Sequence, residues 1–309
     1  MRAVFMGTPE FSVGTLDAMC KAGHEVVAVF TQPDKQKGRG KSVLMTPVKE
    51  RALELNIPVY QPEKLKEDEN YELLKELNPD VIVVVAYGQL ITKRILDLPK
   101  YGCINVHASL LPKYRGAAPI QWAVIDGEEV SGVTIMKMDE SLDTGDMIMK
   151  TELVLDEKET GGSLHDKLAI EGANLLVKAL EALENNTATY TKQDDSKMTY
   201  AKKLTKELGN IDFSMPSKEI ERLVRGLNPW PSAYTAYDGK NMKIWDVDVT
   251  DKQFDGENGE IVEVSKNDFT IKTSDGGIIV KEVQLQGKKR MDAGSFLRGT
   301  KVEKGVILG

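Results

Sequence analysis

Short apolar runs alternate with segments of helical spacing over about the first 155 residues. The runs AVFMG (3–7), HEVVAVFT (24–31), DVIVVVAYG (80–88) and CINVHA (103–108) predict strands, and the third is continuously apolar, as in strands buried on both faces. A long amphipathic helix over 163–185 follows the last strands. The alternation predicts an α/β domain with a Rossmann-like, mainly parallel sheet that is covered by helices on both sides.

The chain changes character after the long helix. Residues 187–206 are polar and lack a sustained period, which is typical of a linker. Short strand-like runs then follow at close spacing, among them MKIWDVDV (242–249) and GIIVKEVQL (277–285). We therefore expect an α/β domain over 1–186, a linker over 187–206, and a small β barrel or sandwich over 207–309.

The composition is that of a soluble globular protein. The chain has 309 residues, of which 41% are hydrophobic and 29% charged, and its formal net charge is −7. No apolar run reaches membrane-spanning length, and the first one is too short for a signal peptide. The lack of such a run leads us to expect no membrane partner. Because two cysteines, Cys20 and Cys103, do not make a disulfide framework, we expect free thiols and a cytoplasmic location.

Basic residues form two local clusters, although neither part of the chain is basic overall. A polyanion would therefore have to bind to these clusters rather than to a basic domain. Charge alone leaves open the alternative that both are simply solvated loops. The clusters are Lys35, Lys37, Arg39 and Lys41 in one loop, and Lys288, Lys289 and Arg290 in another.

The sequence supports neither a dinucleotide site nor a metal site. Gly7 and Gly14 are too far apart for the G-x-G-x-x-G pattern, and Pro9 removes an N–H donor from the start of the helix. The three histidines are far apart, with no cysteine or carboxylate at ligand spacing beside them, so we expect no metal. We interpret His24 and His165 as structural residues.

Asn105 and His107 end a strand at positions where a core would favour valine or isoleucine. Residues two apart in a strand share a face, so these side chains point to one side, and Ile104 and Val106 to the other. Open α/β sheets bind ligands at the carboxyl ends of their strands. An amide donor beside an imidazole can stabilise an oxyanion and move a proton, which is the chemistry of acyl-type transfer. The spacing leaves open a hydrogen-bonded core pair without such a role.

A carboxylate partner for His107 is available in the stretch MDESLDTGDM (138–147), between two predicted strands. Such a carboxylate would orient the imidazole and support its charged form. Carboxylates in loops are more often simply solvated, and spacing does not choose among the candidates. These are Asp139, Glu140, Asp143 and Asp146.

The same motifs resemble those of the folate-dependent formyltransferases. The N-x-H of NVHASLLP (105–112), followed by the D-x-G of Asp143–Gly145, is similar to the catalytic Asn, His and Asp of that family. Further similar stretches extend the resemblance over essentially the whole chain. They are GTPEF (7–11), QPDKQKGRGK (32–41), AYGQLI (86–91), SLLPKYRGAAPIQWA (109–123) and NPWPSAY (228–234).

The resemblance implies the transfer of a formyl group from 10-formyltetrahydrofolate, as co-substrate, to the amine of initiator methionyl-tRNA. We expect the enzyme to be a monomer that needs no metal, with an OB-fold-like barrel as its C-terminal tRNA-binding domain. The catalytic residues would be Asn105, His107 and Asp143. The folate would be bound by Ser109, Leu110, Leu111, Pro112, Tyr87, Gly88, Gln89 and Leu90, and the tRNA by Lys37, Arg39, Lys41, Lys288, Lys289 and Arg290.

Two alternatives are compatible with parts of this pattern. A formyltransferase that acts on an amino sugar or a purine precursor would share the same trio, but the GRG-bearing loop (38–40) and the NPWPSAY-containing domain favour tRNA. A non-catalytic ligand-sensing or RNA-binding protein is a rival of a different class. The complete trio of Asn105, His107 and Asp143 argues against it.

Overall fold

The chain divides into two compact units, and the computed structural model describes residues 1–36 and 43–309. The first unit comprises Met1–Gly116, Val130–Val154 and His165–Ala201. The second comprises Ala117–Glu129, Leu155–Leu164 and Lys202–Gly309. Within the described ranges, no helix is long and apolar enough to cross a membrane. The predicted boundaries 1–186, 187–206 and 207–309 stay a prediction.

The first unit is built on a seven-stranded sheet, counted over the described residues. Its strands are β1 (Arg2–Gly7), β2 (Glu25–Phe30), β5 (Val59–Tyr60), β6 (Val81–Val85), β7 (Cys103–His107), β9 (Val130–Lys137) and β10 (Met147–Val154). The order across the sheet is β10-β9-β7-β6-β1-β2-β5. Neighbours from β7 to β5 pair in parallel, whereas β9 is antiparallel to both β7 and β10. The predicted mainly parallel sheet is confirmed.

The central strands of this sheet are buried on both faces, which explains their lack of alternation. All five residues of β6, with the sequence VIVVV, are buried, and so are all five of β7. Helices supply the surrounding layers, and α2 begins at Pro47 with the Thr46 hydroxyl accepting from the Lys49 amide. In the first unit the helices are α1 (Val13–Lys21), α2 (Pro47–Glu54), α3 (Asp68–Leu77), α4 (Lys93–Leu96) and most of α6 (Gly161–Glu184). In the second unit they are α5 (Pro119–Ile125), α7 (Ser217–Gly226) and α8 (Ala293–Gly299).

Two pairs of very short strands complete the first unit. β3 (Lys35–Gln36) pairs with β4 (Val43–Leu44), on either side of residues that lie outside the described ranges. β8 (Arg115–Gly116) pairs in parallel with β11 (Tyr200–Ala201). The second pair joins the residues after the SLLP turn to the end of the predicted linker.

The second unit contains an antiparallel sheet, as predicted for the C-terminal part of the chain. Its strands are β12 (Ala233–Tyr237), β13 (Lys240–Thr250), β14 (Ile261–Val264), β15 (Phe269–Lys272), β16 (Gly277–Leu285) and β17 (Met291–Asp292). They pair in the order β12-β13-β16-β15-β14, with β17 added to β16. Along this sheet Met242, Ile244, Ile271 and Val280 are fully or almost fully buried in the apolar core of the unit.

Candidate active site

Asn105 and His107 lie on β7, in the middle of the sheet of the first unit. Asn105 is paired with Val84 of β6 and Met136 of β9, and His107 with Thr134 of β9. Only 8% of Asn105 and 6% of His107 are exposed. Two polar side chains are thus embedded at the carboxyl end of a strand that is otherwise apolar, as the sequence predicts.

The ring of His107 is held by a backbone carbonyl. Nε2 lies 2.9 Å from the carbonyl oxygen of Tyr114. Because a carbonyl oxygen only accepts hydrogen bonds, Nε2 carries a proton and donates it to Tyr114. The other ring nitrogen, Nδ1, lies 3.7 Å from Oδ1 of Asp143. His107 can therefore gain and lose a proton only at Nδ1, the nitrogen that faces the carboxylate.

Asp143 is the carboxylate of the 138–147 stretch that lies beside Asn105 and His107. Its Oδ2 accepts a hydrogen bond of 2.9 Å from the Gly116 amide, and its Oδ1 lies 3.5 Å from Nδ2 of Asn105. Its side chain is 12% exposed. Two of the other carboxylates of this stretch are placed differently: Asp139 accepts from Ser141 and Thr144 within its own loop, and Glu140 is exposed. Among the four candidates that spacing leaves open, Asp143 is the one with a contact to both Asn105 and His107 among the described residues.

A tripeptide, Tyr114–Gly116, contacts two members of the trio. Tyr114 accepts from His107, and the Gly116 amide donates to Asp143. Gly116 has a φ of 119°, and a Cβ there would lie 2.6 Å from the carbonyl oxygen of Ala201. Only glycine fits at this position of the β8–β11 pair. The pairing with β11 holds the Tyr114–Gly116 backbone in place.

The predicted folate-binding turn Ser109–Pro112 uses part of its own polar backbone internally. The Leu111 amide donates to the Thr134 hydroxyl, and that hydroxyl donates to the Ser109 carbonyl. Nζ of Lys150 donates to the Leu111 carbonyl. These three backbone groups are therefore less available to a ligand than the sequence alone suggests, and the half-buried side chains of Leu110 and Pro112 are the more accessible part of the turn.

The second predicted folate segment, Tyr87–Leu90, combines buried and exposed side chains. The Tyr87 ring is 2% exposed, and among the described residues its hydroxyl has no hydrogen-bond partner; burial raises the pKa of this hydroxyl. The Gln89 amide accepts from Leu65 and donates to the Pro62 carbonyl, so it holds the backbone. Leu90 is 75% exposed. Leu90 is therefore the accessible apolar side chain of this segment, whereas the Tyr87 ring belongs to the apolar core.

The predicted tRNA contacts fall into two groups. Lys37, Arg39 and Lys41 lie outside the described residues. Lys288 and Lys289 are exposed on the turn between β16 and β17, where Gly287 has a φ of 78°. Arg290 is paired with Glu282 and lies over the Trp245 ring, with 4.6 Å from Cζ to the ring centroid.

A cavity of about 530 Å³ adjoins this turn in the second unit. Lys206, Lys243, Trp230 and Gln286 are among its lining residues, and Trp230 is 55% exposed. The lining comes from the second unit alone and includes none of Asn105, His107 and Asp143. Cations beside an exposed indole form a surface suited to phosphates and bases.

Comparisons with known proteins identify the family of the chain. A family model described as formyl transferase matches residues 1–180, and a model of the formyl transferase C-terminal domain matches residues 203–301. The chain belongs to the formyl transferase family. The resemblance drawn from the sequence motifs is therefore confirmed.

Curated relatives match this formyltransferase over its full length. It is 59% identical over 314 residues to a methionyl-tRNA formyltransferase of Lachnospira eligens and 52% identical over 309 residues to one of Clostridioides difficile, and each match covers 100% of both chains. Among solved structures, the sugar 3N-formyl transferase WlaRD, in the presence of dTDP and 5-N-formyl-THF, has a TM-score of 0.68 at 21% identity. That match covers 94% of this chain and 99% of WlaRD. This structural likeness shows the fold alone.

Sequence reasoning on this formyltransferase missed the residues that hold the trio in place. Tyr114 and Gly116 were visible only as letters of a family motif, because a backbone carbonyl and a backbone amide leave no signature in residue type. Arg115, 6% exposed, is likewise buried against expectation for an arginine. The fourth residue that sequence reasoning missed is Gln193, which lies in the stretch predicted to be a linker. Its side-chain amide donates to the backbone carbonyl of Asp143.

Proposed function

We propose that this enzyme transfers the formyl group of 10-formyltetrahydrofolate to the α-amine of initiator methionyl-tRNA. The observation that carries the proposal is the convergence of Asn105, His107 and Asp143 in a family of formyl transferases. The full-length identity to methionyl-tRNA formyltransferases supports the acceptor. The amine nitrogen bonds to the formyl carbon, the bond from that carbon to N10 of the folate breaks, and one amine proton finishes on N10.

Asn105 is the first candidate to stabilise the tetrahedral intermediate. Negative charge develops on the formyl oxygen when the amine attacks, and an N–H donor aimed at this oxygen typically contributes about 10²- to 10³-fold in rate. Nδ2 of Asn105 has a long, weak contact of 3.5 Å to Asp143, so it can turn a hydrogen to the oxyanion at little cost. Val or Ile at this position would improve the core and supply no donor.

His107 and Asp143 are suited to moving the proton that the amine releases. Nε2 of His107 is committed to the Tyr114 carbonyl, so proton exchange takes place at Nδ1. The Asp143 carboxylate, 3.7 Å from Nδ1, supports the charged imidazolium. It can also accept a hydrogen bond from a bridging water or from the amine itself. The two residues act as one proton-transfer unit beside the Asn105 amide.

The co-substrate supplies the one-carbon unit, and this chain orients it. We assign folate contacts to Ser109, Leu110, Leu111, Pro112, Tyr87, Gly88, Gln89 and Leu90. The exposed side chain of Leu90 supports this assignment most directly. Ser109, whose hydroxyl donates to the Lys113 carbonyl, would also hold the turn in the shape that binds the ligand.

We assign the tRNA contacts to the two basic clusters. Lys288 and Lys289 present exposed cations on the β16–β17 turn, and Arg290 extends this surface beside Trp245. Lys37, Arg39 and Lys41 are assigned from the sequence. The enzyme would act as a monomer in the cytoplasm, where its tRNA substrate is charged.

A direct assay tests the proposed function. The protein is incubated with 10-formyltetrahydrofolate and Met-tRNA, and formyl-Met-tRNA is identified by mass spectrometry of the released amino acid. A nucleotide-linked amino sugar is the matched alternative acceptor. Formylation of the sugar but not of Met-tRNA would reject the assigned acceptor while keeping the formyl transfer, and no product from either would reject both.

The role of the GRG-bearing loop is tested separately. Arg39→Ala is expected to lower kcat/KM for Met-tRNA while leaving the affinity for the folate unchanged, because an apolar side chain cannot replace a bidentate donor to phosphate. Lys21→Ala on α1 is the control for the loss of one exposed positive charge. Equal losses for both substrates would mean that the loop supports the fold instead.

A further inference from the structure

The side chain of Gln193 joins three parts of the first unit. Its Nε2 lies 2.8 Å from the carbonyl oxygen of Asp143 and 2.9 Å from that of Gly145. Its Oε1 accepts a hydrogen bond of 3.0 Å from Nε of Arg115. Because the arginine nitrogen can only donate, the amide oxygen must face Arg115 and the NH₂ group must face the two carbonyls. Both hydrogens of one amide thus hold the two ends of the Asp143–Gly145 segment.

The backbone at Asp143 needs such support. Asp143 has a φ of 53°, in the left-handed region, which is less favourable for a residue with a Cβ than for glycine. Gly145 lies so close to β9 that a Cβ there would be 1.8 Å from the carbonyl oxygen of Lys137. The segment therefore packs closely against β9 at Gly145, and Gln193 donates a hydrogen bond to each of its two ends. The direction of the Asp143 carboxylate follows from this backbone.

Arg115 links this tie to the rest of the site. It is buried, and its guanidinium donates to Gln193 and, at 2.6 Å, to Oδ1 of Asp195. The next residue, Gly116, donates its amide to the Asp143 carboxylate. β8 therefore holds Asp143 twice, once directly and once through Gln193. We propose that Gln193, oriented by Arg115, is a positioning residue that fixes the Asp143 carboxylate against His107; this inference rests on the formyl transfer proposed above.

Gln193→Glu separates this role from a merely structural one. Glutamate keeps the length and the acceptor for Arg115, so the 193–201 segment stays attached, but it turns an oxygen towards the two carbonyls in place of two donors. A displacement of about 1 Å at a catalytic group can cost about 10²-fold in rate, so we expect kcat to fall by about 10- to 100-fold with both KM values nearly unchanged.

The second unit offers a matched control. The Gln253 amide also donates to two backbone carbonyls, those of Asp251 and Asp275, at 3.1 and 3.0 Å. Gln253→Glu makes the same chemical change on the same hydrogen-bond pattern and should leave kcat at the wild-type value. An equal loss of kcat in both variants would overturn the proposal.

A double-mutant cycle tests whether Gln193 acts through Asp143. In the Asp143→Asn background, Gln193→Glu should lower kcat no further, because the charge it positions is already gone. The same fractional loss in both backgrounds would overturn the proposal.

Amide hydrogen exchange gives a readout that does not depend on activity. The peptide over 139–146 should exchange faster in Gln193→Glu, and β6 should not. Unchanged exchange over 139–146 in a folded variant would overturn the proposal. If wild-type protein forms no formyl-Met-tRNA, the proposed function fails, and the exchange experiment still decides whether Gln193 holds the Asp143 loop. If Gln193→Glu does not fold, Gln193→Met, which has similar length and lacks both donors, is measured in the same ways.

Discussion

Asp143→Asn measures how much the reaction depends on the charge of this carboxylate. Asparagine nearly keeps the volume and tolerates the left-handed backbone at this position, so the substitution removes charge with little strain. Nδ1 of His107 lies 3.7 Å from Oδ1. Two unit charges about 4 Å apart interact by about 4 kcal/mol at an effective dielectric constant of about 20, which sets the upper limit of the effect. Since water recovers part of this, we expect kcat to fall by about 10²- to 10³-fold.

The assay is the initial rate of formyl-Met-tRNA formation at saturating concentrations of both substrates. Glu140→Gln, in the same loop and exposed, is the matched control and should keep the wild-type rate. Circular dichroism and thermal unfolding establish that each variant is folded. A folded Asp143→Asn enzyme whose kcat stays within about fivefold of wild type would refute the argument, because His107 would then work without a charged partner.

Three further expectations follow from the same structure. Asn105→Ala and His107→Ala should each lower kcat by about 10²-fold or more with the fold intact, and near wild-type turnover of either folded variant would remove that residue from the mechanism. Burial raises the pKa of the Cys103 thiol, and burial together with the charge of Asp17 raises the pKa of the Cys20 thiol. Because the thiolate is the form that reacts, iodoacetamide at pH 8 should leave Cys103 unmodified in the native protein. In denaturant the same reagent should modify both thiols. Rapid native modification of Cys103, located by peptide mass spectrometry, would contradict its burial. A chain that ends at Asn186 should bind the folate more weakly than the full-length protein in an equilibrium titration, because it lacks Gln193 and β11; equal affinity would show that neither supports the site.

The sheet and the polar positions of β7 could be predicted because their signals are local. β6 is continuously apolar since both of its faces are covered, and β7 differs from such a strand only at Asn105 and His107. A polar pair at alternate positions of a buried strand is a departure from packing that points to a ligand. The antiparallel sheet of the second unit was predictable from its short, closely spaced strands.

The choice of Asp143 among four carboxylates could not come from spacing. It depends on the left-handed backbone at Asp143 and on the donor from Gly116, and neither is encoded by a periodic pattern. Asp139 has the same side chain, but its carboxylate accepts from Ser141 and Thr144 and shapes the loop. Identical residue types four positions apart thus differ in role because only one of them meets donors from another part of the chain.

The polar stretch after α6 is hydrogen-bonded to buried groups of the first unit. Arg115 is buried and must have acceptors, which Gln193 and Asp195 supply from about eighty residues further along the chain. The Thr199 hydroxyl accepts a hydrogen bond from the Tyr114 amide. The polar side chains of the stretch therefore bind buried groups as well as solvent. A solvated linker is polar because it faces water, whereas part of this segment also satisfies buried hydrogen bonds near Asp143. The first compact unit extends to Ala201, and the residues between Asn186 and that point supply hydrogen bonds to Tyr114, Arg115 and the Asp143 loop.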